Sequence, residues 1–149
     1  MAQPSNYPVG FYFELSFKGE DASFQEVSGI SKEQGIEEVV CGGENRFKYR
    51  LPTLSSSQNL VLKRALVLKD SKLASWVKHT LEDGLLYRVN TQDITVSLMK
   101  SEEEPLVSWV FHKAYPIKYA ISDFKSDENK LVIETMELAY TYFEIPKTK

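Results

Sequence analysis

Few side chains in this sequence could do chemistry, and their spacing fits no catalytic or metal-binding pattern. Cys41 stands beside Gly42 and Gly43 without a neighbouring base or cationic group to activate the thiol as a nucleophile. The two histidines, His79 and His112, lie far apart in the sequence and show neither HExxH spacing nor a cysteine partner. These residues therefore predict neither a nucleophilic centre nor a metal site.

Two other patterns resemble ligand-binding motifs only in part. Gly42 and Gly43 belong to no GxGxxG or P-loop motif and lead into a predicted strand. Residues 102–104 are three consecutive glutamates, but consecutive residues at a hairpin tip point in alternating directions, which favours a solvated turn. We expect a protein without a cofactor, in which the elements that shape surfaces matter more than single reactive groups.

Length and composition predict one globular domain over residues 1–149. Hydrophobic residues make up 42% of the chain and charged residues 26%, as in soluble proteins. The net charge of -3 offers no basis for specific nucleic-acid binding. No apolar run approaches the roughly 18 residues of a membrane span. The first residues lack the features of a secretory signal, so we expect synthesis in the cytoplasm.

The first strand has the clearest pattern in the chain. Residues 9–18 alternate strictly, which places Phe11, Phe13, Leu15 and Phe17 on one face. Residues 23–27 predict the returning strand, and residues 36–40 predict a third extended segment. Eight tyrosines and eight phenylalanines also favour strands over helices.

Residues 40–58 predict a long hairpin or loop that projects between two strands of the core. The glycine pair at positions 42 and 43 permits a tight turn, and residues 52–58 (PTLSSSQ) have a loop-like composition. Loops this long in compact domains usually have a function or are disordered. Residues 1–8, which include two prolines, predict a flexible N-terminal arm.

One helix is predicted after a strand at residues 59–68, whose apolar run is interrupted by Lys63 and Arg64. Asp70 or Ser71 can cap the helix. Its apolar residues recur at helical spacing: Leu73, Trp76, Val77 and Leu81.

The last third of the chain predicts a β-meander, with Pro116 as a break between strands at residues 106–114 and 117–124. The final strand, residues 130–142, contains a phase shift in its apolar pattern. Leu131 and Ile133 share one face, whereas Met136, Leu138 and Tyr140 share the other. Either a bulge near Glu134 and Thr135 or cover on both faces would explain this shift.

Six segments in order resemble the tail-tube family of contractile phage tails and bacterial contractile injection systems. They are YPVGFYFEL, FQEVSGI, EEVVCGGEN, NLVLKR, SWVFHKAYPIKY and ENKLVIETMELAY, and they extend over residues 7–142. Two departures lie in or beside the projecting loop: LPTLSSSQ replaces a glycine-lysine pattern, and Ala65 and Leu66 stand where a glycine is frequent. The resemblance implies a mainly β fold, an antiparallel β-barrel or sandwich with one flanking α-helix and a long projecting loop.

The resemblance also implies a structural, non-enzymatic subunit. Six copies would form a ring, and the rings would stack into the inner tube of a contractile tail or injection particle, a conduit for cargo. Its implied partners are further copies, the sheath protein, baseplate or hub proteins, and luminal cargo. Head-to-tail contacts between identical subunits can close into such rings, and strand pairing between subunits would remove unpaired sheet edges.

Two sets of residues follow from this resemblance. The inter-ring set comprises arm and loop residues: Pro4, Tyr7, Pro8, Cys41, Gly42, Gly43, Glu44, Asn45, Arg46, Phe47, Lys48 and Tyr49. The lumen-facing candidates are Thr95, Ser97 and Glu134, because a channel that passes cargo needs a polar lining.

Three alternatives remain open at this point. A type VI secretion tube protein would share the fold but is not expected to carry these motifs. A monomeric small-molecule-binding β-barrel would need a large apolar cavity and would not need the long loop. A hydrolase is disfavoured because the chain shows no nucleophile–base pairing.

Overall fold

The computed structural model describes residues 10–39, 42–43, 48–56, 58–83, 90–101, 104–122 and 131–145. In these ranges the chain forms ten strands and one helix. They are β1 (Tyr12–Phe17), β2 (Glu20–Phe24), β3 (Glu26–Ser28), β4 (Glu33–Val39), β5 (Tyr49–Ser56), β6 (Leu60–Ala65), α1 (Lys72–Asp83), β7 (Gln92–Ser101), β8 (Glu104–Ile121), β9 (Ile133–Ala139) and β10 (Tyr142–Glu144).

The strands form two antiparallel layers joined by segments that pass from one layer to the other. The first layer has the order β2-β1-β7-β8, with β10 on the other side of β8. The second has the order β8-β9-β6-β3. β8 belongs to both, and β2 leads into β3 through a bend at Gln25. This arrangement confirms the predicted antiparallel barrel or sandwich.

The interior between the layers is filled by aliphatic and aromatic side chains from both. The alternation predicted for β1 is confirmed, since Leu15 and Phe17 are buried and Phe13 packs against the core. Phe11 lies before the strand and is exposed. The largest fully buried side chains are Phe17, Phe24, Phe111, Leu15, Leu60, Leu62, Ile94, Met136, Leu138, Val77 and Val96.

Helix α1 covers this core with one apolar stripe, as its spacing predicts. Leu73, Trp76 and Val77 are buried, and the Trp76 ring stacks on Phe17 at a centroid distance of 4.8 Å. The Ser71 hydroxyl accepts a hydrogen bond from the amide of Ala74 at 3.1 Å, which identifies Ser71 as the N-cap. Leu81, the last residue of the predicted stripe, is exposed.

Strands β4 and β5 form a two-stranded hairpin separate from the two layers. Residues 52–56, which were expected to be loop, continue β5 as far as Ser56. The loop prediction there is wrong because the pairing with β4 compensates for a polar composition that is weak in strand formers. The projecting element therefore begins at Glu33, several residues before the expected start at residue 40.

Pro116 does not break the last third of the chain, contrary to the sequence prediction. β8 is one strand of 18 residues, and its pairing with β9 shifts register between Pro116 and Lys118. The shift skips Ile117, and a proline, which has no N–H, is tolerated next to such a bulge. Lys113, with a φ of 56°, marks the point where β8 passes from β7 to β9.

Strand β9 contains no bulge near Glu134, so that explanation of the phase shift is wrong. Its pairing with β6 runs without interruption from Ala65 opposite Ile133 to Leu60 opposite Leu138. The buried face consists of Glu134, Met136 and Leu138. The apolar pattern is interrupted because a charged residue occupies one inward position.

Gly29 occupies a position that only glycine fits. Its φ is +91°, and a Cβ atom there would lie 1.8 Å from the carbonyl oxygen of Asn59. The Tyr140 hydroxyl donates a hydrogen bond to the Gly29 carbonyl at 3.0 Å. This close approach fixes the root of the hairpin against the beginning of β6.

Candidate assembly surfaces

The β4–β5 hairpin presents a partly apolar face that the rest of the described chain does not cover. Its register places Glu37 opposite Leu51 and Val39 opposite Tyr49, so these four side chains share one face. Tyr49 is 49% exposed and Leu51 is 48% exposed. We refer to this surface (Glu37, Val39, Tyr49 and Leu51) as the hairpin face.

The opposite face of the hairpin carries charges that pair with one another. Glu38 lies across from Arg50, and its carboxylate is 3.7 Å from Nζ of Lys48. The Gln34 side-chain amide donates to the carbonyl of Thr53 across the hairpin. The two faces differ in charge rather than in apolar exposure. Ile36, opposite Pro52 on the charge-compensated face, is 52% exposed, whereas the hairpin face combines its apolar side chains with the carboxylate of Glu37.

The structure describes only part of the predicted inter-ring set. Gly42, Gly43, Lys48 and Tyr49 are exposed at or near the distal end of the hairpin. The remaining members lie outside the described residues: Pro4, Tyr7, Pro8, Cys41, Glu44, Asn45, Arg46 and Phe47. The assignment of the whole set to contacts between rings therefore stays a prediction.

Thr95 and Ser97 lie on a polar face of the first layer, away from the core side chains Ile94 and Val96. One row across this face runs Ser23, Glu14, Ser97 and Ser108, and the next runs Asp21, Ser16, Thr95 and Val110. The hydroxyls of Ser97 and Ser108 are hydrogen-bonded at 2.7 Å. The surface is rich in hydroxyl groups and contains two carboxylates.

Glu134 does not belong to this polar face, and its prediction as a lumen-facing residue is wrong. It is 2% exposed and points between the layers, where its carboxylate accepts a hydrogen bond from Nε of Arg64 at 3.0 Å. The Tyr119 hydroxyl donates to the other carboxylate oxygen at 2.9 Å. Burial, together with the Glu134 carboxylate, raises the pKa of Tyr119 to about 12.

The partner of Glu134 explains why the apolar run of β6 is interrupted. Arg64 lies directly opposite Glu134 in the β6–β9 ladder, and its guanidinium lies 4.8 Å from the ring centroid of Phe24. Lys63 points outward and forms an exposed ion pair with Glu26 at 3.5 Å. The adjacent basic residues thus have different roles, one inside the barrel and one at its surface.

His112 forms a polar cluster that the sequence did not predict. Its Nε2 is 2.7 Å from Glu144 of β10, its Nδ1 is 3.3 Å from Asp93, and its ring stacks on Tyr142. The Glu144 hydrogen bond, with a smaller contribution from Asp93, raises the pKa of His112 against the effect of burial. A hydrogen bond from the amide of Lys113 lowers the pKa of Asp93. The cluster attaches β10 to β8.

Two exposed features lie at the end of β6 that is remote from the hairpin. The first is a group of exposed aliphatic side chains, namely Val67, Leu68 and Leu131. The exposed fraction is highest for Leu68, at 90%. A cavity of about 280 Å³ lies beside them, with Glu20, Asp21, Lys69 and Asp70 among its lining residues. Its position at the surface and its charged rim do not suit an apolar ligand carrier.

The described residues contain no cluster of three or more histidine, cysteine, aspartate or glutamate side chains placed to bind a metal ion. Within the same part of the chain, no helix is both long and apolar enough to cross a membrane.

The fold and these surfaces are those of a β-structured assembly protein. The family model described as T4-like virus tail tube protein gp19 matches residues 9–144. The chain therefore belongs to the T4-like virus tail tube protein gp19 family. No curated protein is significantly similar to it.

Solved structures with the same fold include parts of contractile injection systems. A chain in the cryo-EM structure of the anti-feeding prophage baseplate is 25% identical with a TM-score of 0.76, covering 98% of this chain and 97% of that chain. A chain in the sheath–tube complex of the extracellular contractile injection system PVC is 24% identical with a TM-score of 0.77, covering 95% and 91% respectively. Hcp1 from Flavobacterium johnsoniae is 17% identical with a TM-score of 0.59, covering 90% and 94%. The last two show the fold alone.

The family match confirms the predicted resemblance and the identification as a tail tube protein, and the structural matches confirm the mainly β fold class. The fold is shared at lower similarity with Hcp1, as the type VI alternative implies. The matched family is that of a structural tube protein.

Proposed function

We propose that six copies of this chain close into a ring and that the rings stack into the inner tube of a contractile tail or injection particle. The main support for this proposal is the pair of open sheet edges in the first layer. Among the described strands, β2 pairs only with β1 and β10 pairs only with β8. Unpaired edges favour addition of further strands, and identical head-to-tail contacts close into a ring at a suitable rotation.

The hairpin supplies the contact between rings in this proposal. A two-stranded hairpin is marginally stable by itself, so β4 and β5 gain from a surface that covers them. Gly42 and Gly43 allow the turn, while Lys48 and Tyr49 offer a cation and an aromatic ring near its end. Residues 4–8 and 44–47 and Cys41 would extend the same contact.

The polar face with Thr95 and Ser97 is proposed to line the bore. Small hydroxyl side chains bind passing cargo weakly, and the carboxylates of Glu14 and Asp21 on the same face repel phosphate groups. The face is therefore suited to protein cargo that moves through without being retained. In a density map of an assembled tube, the side chains of Thr95 and Ser97 should face the tube axis. A map that places them on the outer surface would contradict the assignment.

The other proposed partners are suggested by the assemblies in which similar chains are found. The similar structures belong to a baseplate and a sheath–tube complex, and we propose that this chain likewise contacts a baseplate or hub protein and a sheath protein. A tube subunit works by assembly, so we propose no enzymatic activity, no cofactor and no specific nucleic-acid partner. Its expected location is a phage tail or an injection particle.

Deleting residues 42–48 tests the role of the hairpin. The deletion should leave a folded subunit that no longer forms tubes, because β1–β3 and β6–β10 form the core without it. Electron microscopy of the purified variant, beside the unmodified chain, measures the result, with circular dichroism as the folding control. Tubes of normal length from the deletion variant would contradict the assignment.

A further inference from the structure

The proposed function leaves open which surface receives the hairpin of the next ring. Val67, Leu68 and Leu131 form an exposed group, which we call the aliphatic end cluster. The amide of Leu66 donates to the carbonyl of Val132 at 2.9 Å, so the β6–β9 register continues beyond Ala65 and places Val67 across from Leu131. Leu68 is 90% exposed and Leu131 is 71% exposed. Aliphatic side chains grouped in this way indicate an interaction site.

The hairpin root and the aliphatic end cluster lie at opposite ends of the same strand ladder. Gly29, at the root, contacts Asn59 just before β6 begins, whereas Val67 follows the end of β6. The six residues of β6 alone separate the two sites by about 17 Å at the usual rise per residue. Copies that repeat in one direction along this ladder therefore bring the hairpin of one copy towards the cluster of the next.

Each surface carries one charged group of opposite sign to one on the other; beside Lys69, the cavity is also lined by Glu20, Asp21 and Asp70. Glu37 lies on the hairpin face between apolar neighbours, and Lys69 follows Leu68 directly in the sequence. Neither forms an ion pair with another described residue, whereas Glu38 on the other side of the hairpin is within 4 Å of Lys48. The carboxylate of Glu37 can therefore pair with the ammonium group of Lys69 when the two surfaces meet.

We propose that the aliphatic end cluster and Lys69 are the docking site for the hairpin face of a second copy of this chain. Leu51 and Tyr49 cover Leu68 and Leu131, and Glu37 pairs with Lys69. The two surfaces are different parts of the subunit, so the contact is heterologous and repeats without closing. This inference rests on the proposed function, because it assumes that rings stack.

A cysteine pair tests this contact in assembled material. In a Cys41→Ser background, which removes the one native thiol, the chain carries Leu51→Cys and Leu68→Cys. Mild oxidation of assembled tubes should give a ladder of covalently linked oligomers on a non-reducing gel. The two positions are too far apart for a disulfide within one subunit, which needs Cα atoms within about 7 Å. The matched control, Leu51→Cys with Ser75→Cys on the exposed side of α1, should give no ladder.

A charge exchange provides a second readout. Glu37→Lys and Lys69→Glu should each shorten the tubes while rings persist, and the two changes together should restore tube length. Tubes of normal length without a Leu51–Leu68 ladder, or a double exchange that fails to recover, would overturn this docking site and leave the proposed function intact. If the unmodified chain forms neither rings nor tubes, both proposals fall.

Discussion

Arg64 and Glu134 show how a charged pair can be part of an otherwise apolar barrel. The two residues are direct cross-strand neighbours, and Tyr119 occupies the second oxygen of the carboxylate. A buried carboxylate is tolerated because both of its oxygens accept hydrogen bonds from charged or polar donors. The pair thereby fixes the relative position of β6, β8 and β9, three adjacent strands of the second layer.

Glu134→Gln should destabilise the subunit strongly. Removal of one charge leaves the Arg64 guanidinium buried without its counterion, which costs about 3–5 kcal/mol in comparable cases. The midpoint of urea unfolding measures the loss. The double variant Arg64→Met with Glu134→Leu, which leaves no buried charge, should recover much of the stability, and equal losses in both variants would contradict this account of the pair.

Gly29→Ala should cost more stability than Gly19→Ala, although both glycines have a positive φ. At Gly19, where φ is +84° and a Cβ meets nothing within 4 Å, only backbone strain of about 1–3 kcal/mol applies. At Gly29 the new Cβ also collides with the Asn59 backbone, which forces the hairpin root away from β6. Thermal unfolding of the two variants compares the costs, and equal melting temperatures would show that the close approach is relieved without cost.

At the scale of elements, β10 is a short strand that side-chain contacts hold in place. His112 joins β10 to β8 through Glu144 and Tyr142, and the Phe143 ring packs beneath Nζ of Lys32 at 4.6 Å. The Tyr140 hydroxyl, just before β10, bonds to the hairpin root at Gly29. The same terminal segment therefore forms one open edge of the first layer and contacts the base of the hairpin.

The His112 contact should make the attachment of β10 depend on pH. Because the pKa of His112 is raised, its stabilising effect is complete below the ordinary histidine pKa of 6.5 and is lost as pH rises through the raised value. Glu144→Gln should therefore lower the melting temperature more at about pH 6 than at about pH 9. The expected effect is about 1 kcal/mol or less, as for other partly exposed pairs.

Glu82→Gln, on the helix, is the control because it removes the same charge from an exposed site. It should leave the melting temperature nearly unchanged at both pH values. A loss for Glu144→Gln that is the same at both pH values would exclude a role for the protonated imidazole.

Elements governed by local pattern could be predicted from the sequence, and those governed by distant pairs could not. Alternation in β1 and helical spacing in α1 gave the right faces, since each residue's environment follows from its near neighbours. The inward position of Glu134 depends on Arg64 and Tyr119, which are remote in the sequence. β8 likewise continues through Pro116 because β9 accommodates a register shift there.

The candidate surfaces divide in the same way. Thr95 and Ser97 follow from the resemblance as candidates for a polar lining, and the structure shows them on a polar face across four strands. The His112 cluster brings together Asp93 and Glu144, whose spacing follows no motif, so only the fold shows it. The aliphatic end cluster was also missed, because Leu68 and Leu131 looked like ordinary strand residues.

In the molecule as a whole, the open sheet edges and the exposed apolar surfaces lie at different places on the subunit. Two open edges, β2 and β10, belong to the first layer, and a third, β3, belongs to the second. The hairpin lies beyond one end of β6, and the aliphatic end cluster lies at the other end. Edges that pair sideways give a ring, and ends that meet lengthwise give a stack. The proposed tube needs both kinds of contact, and in this proposal the chain has a separate surface for each.

Electron microscopy of the purified, unmodified chain over a range of concentrations tests the central claim most directly. We expect closed rings with six-fold symmetry at low concentration and stacked tubes with an open bore as the concentration rises. A compact single molecule at every concentration would contradict the claim that copies of this chain complete one another's sheet edges.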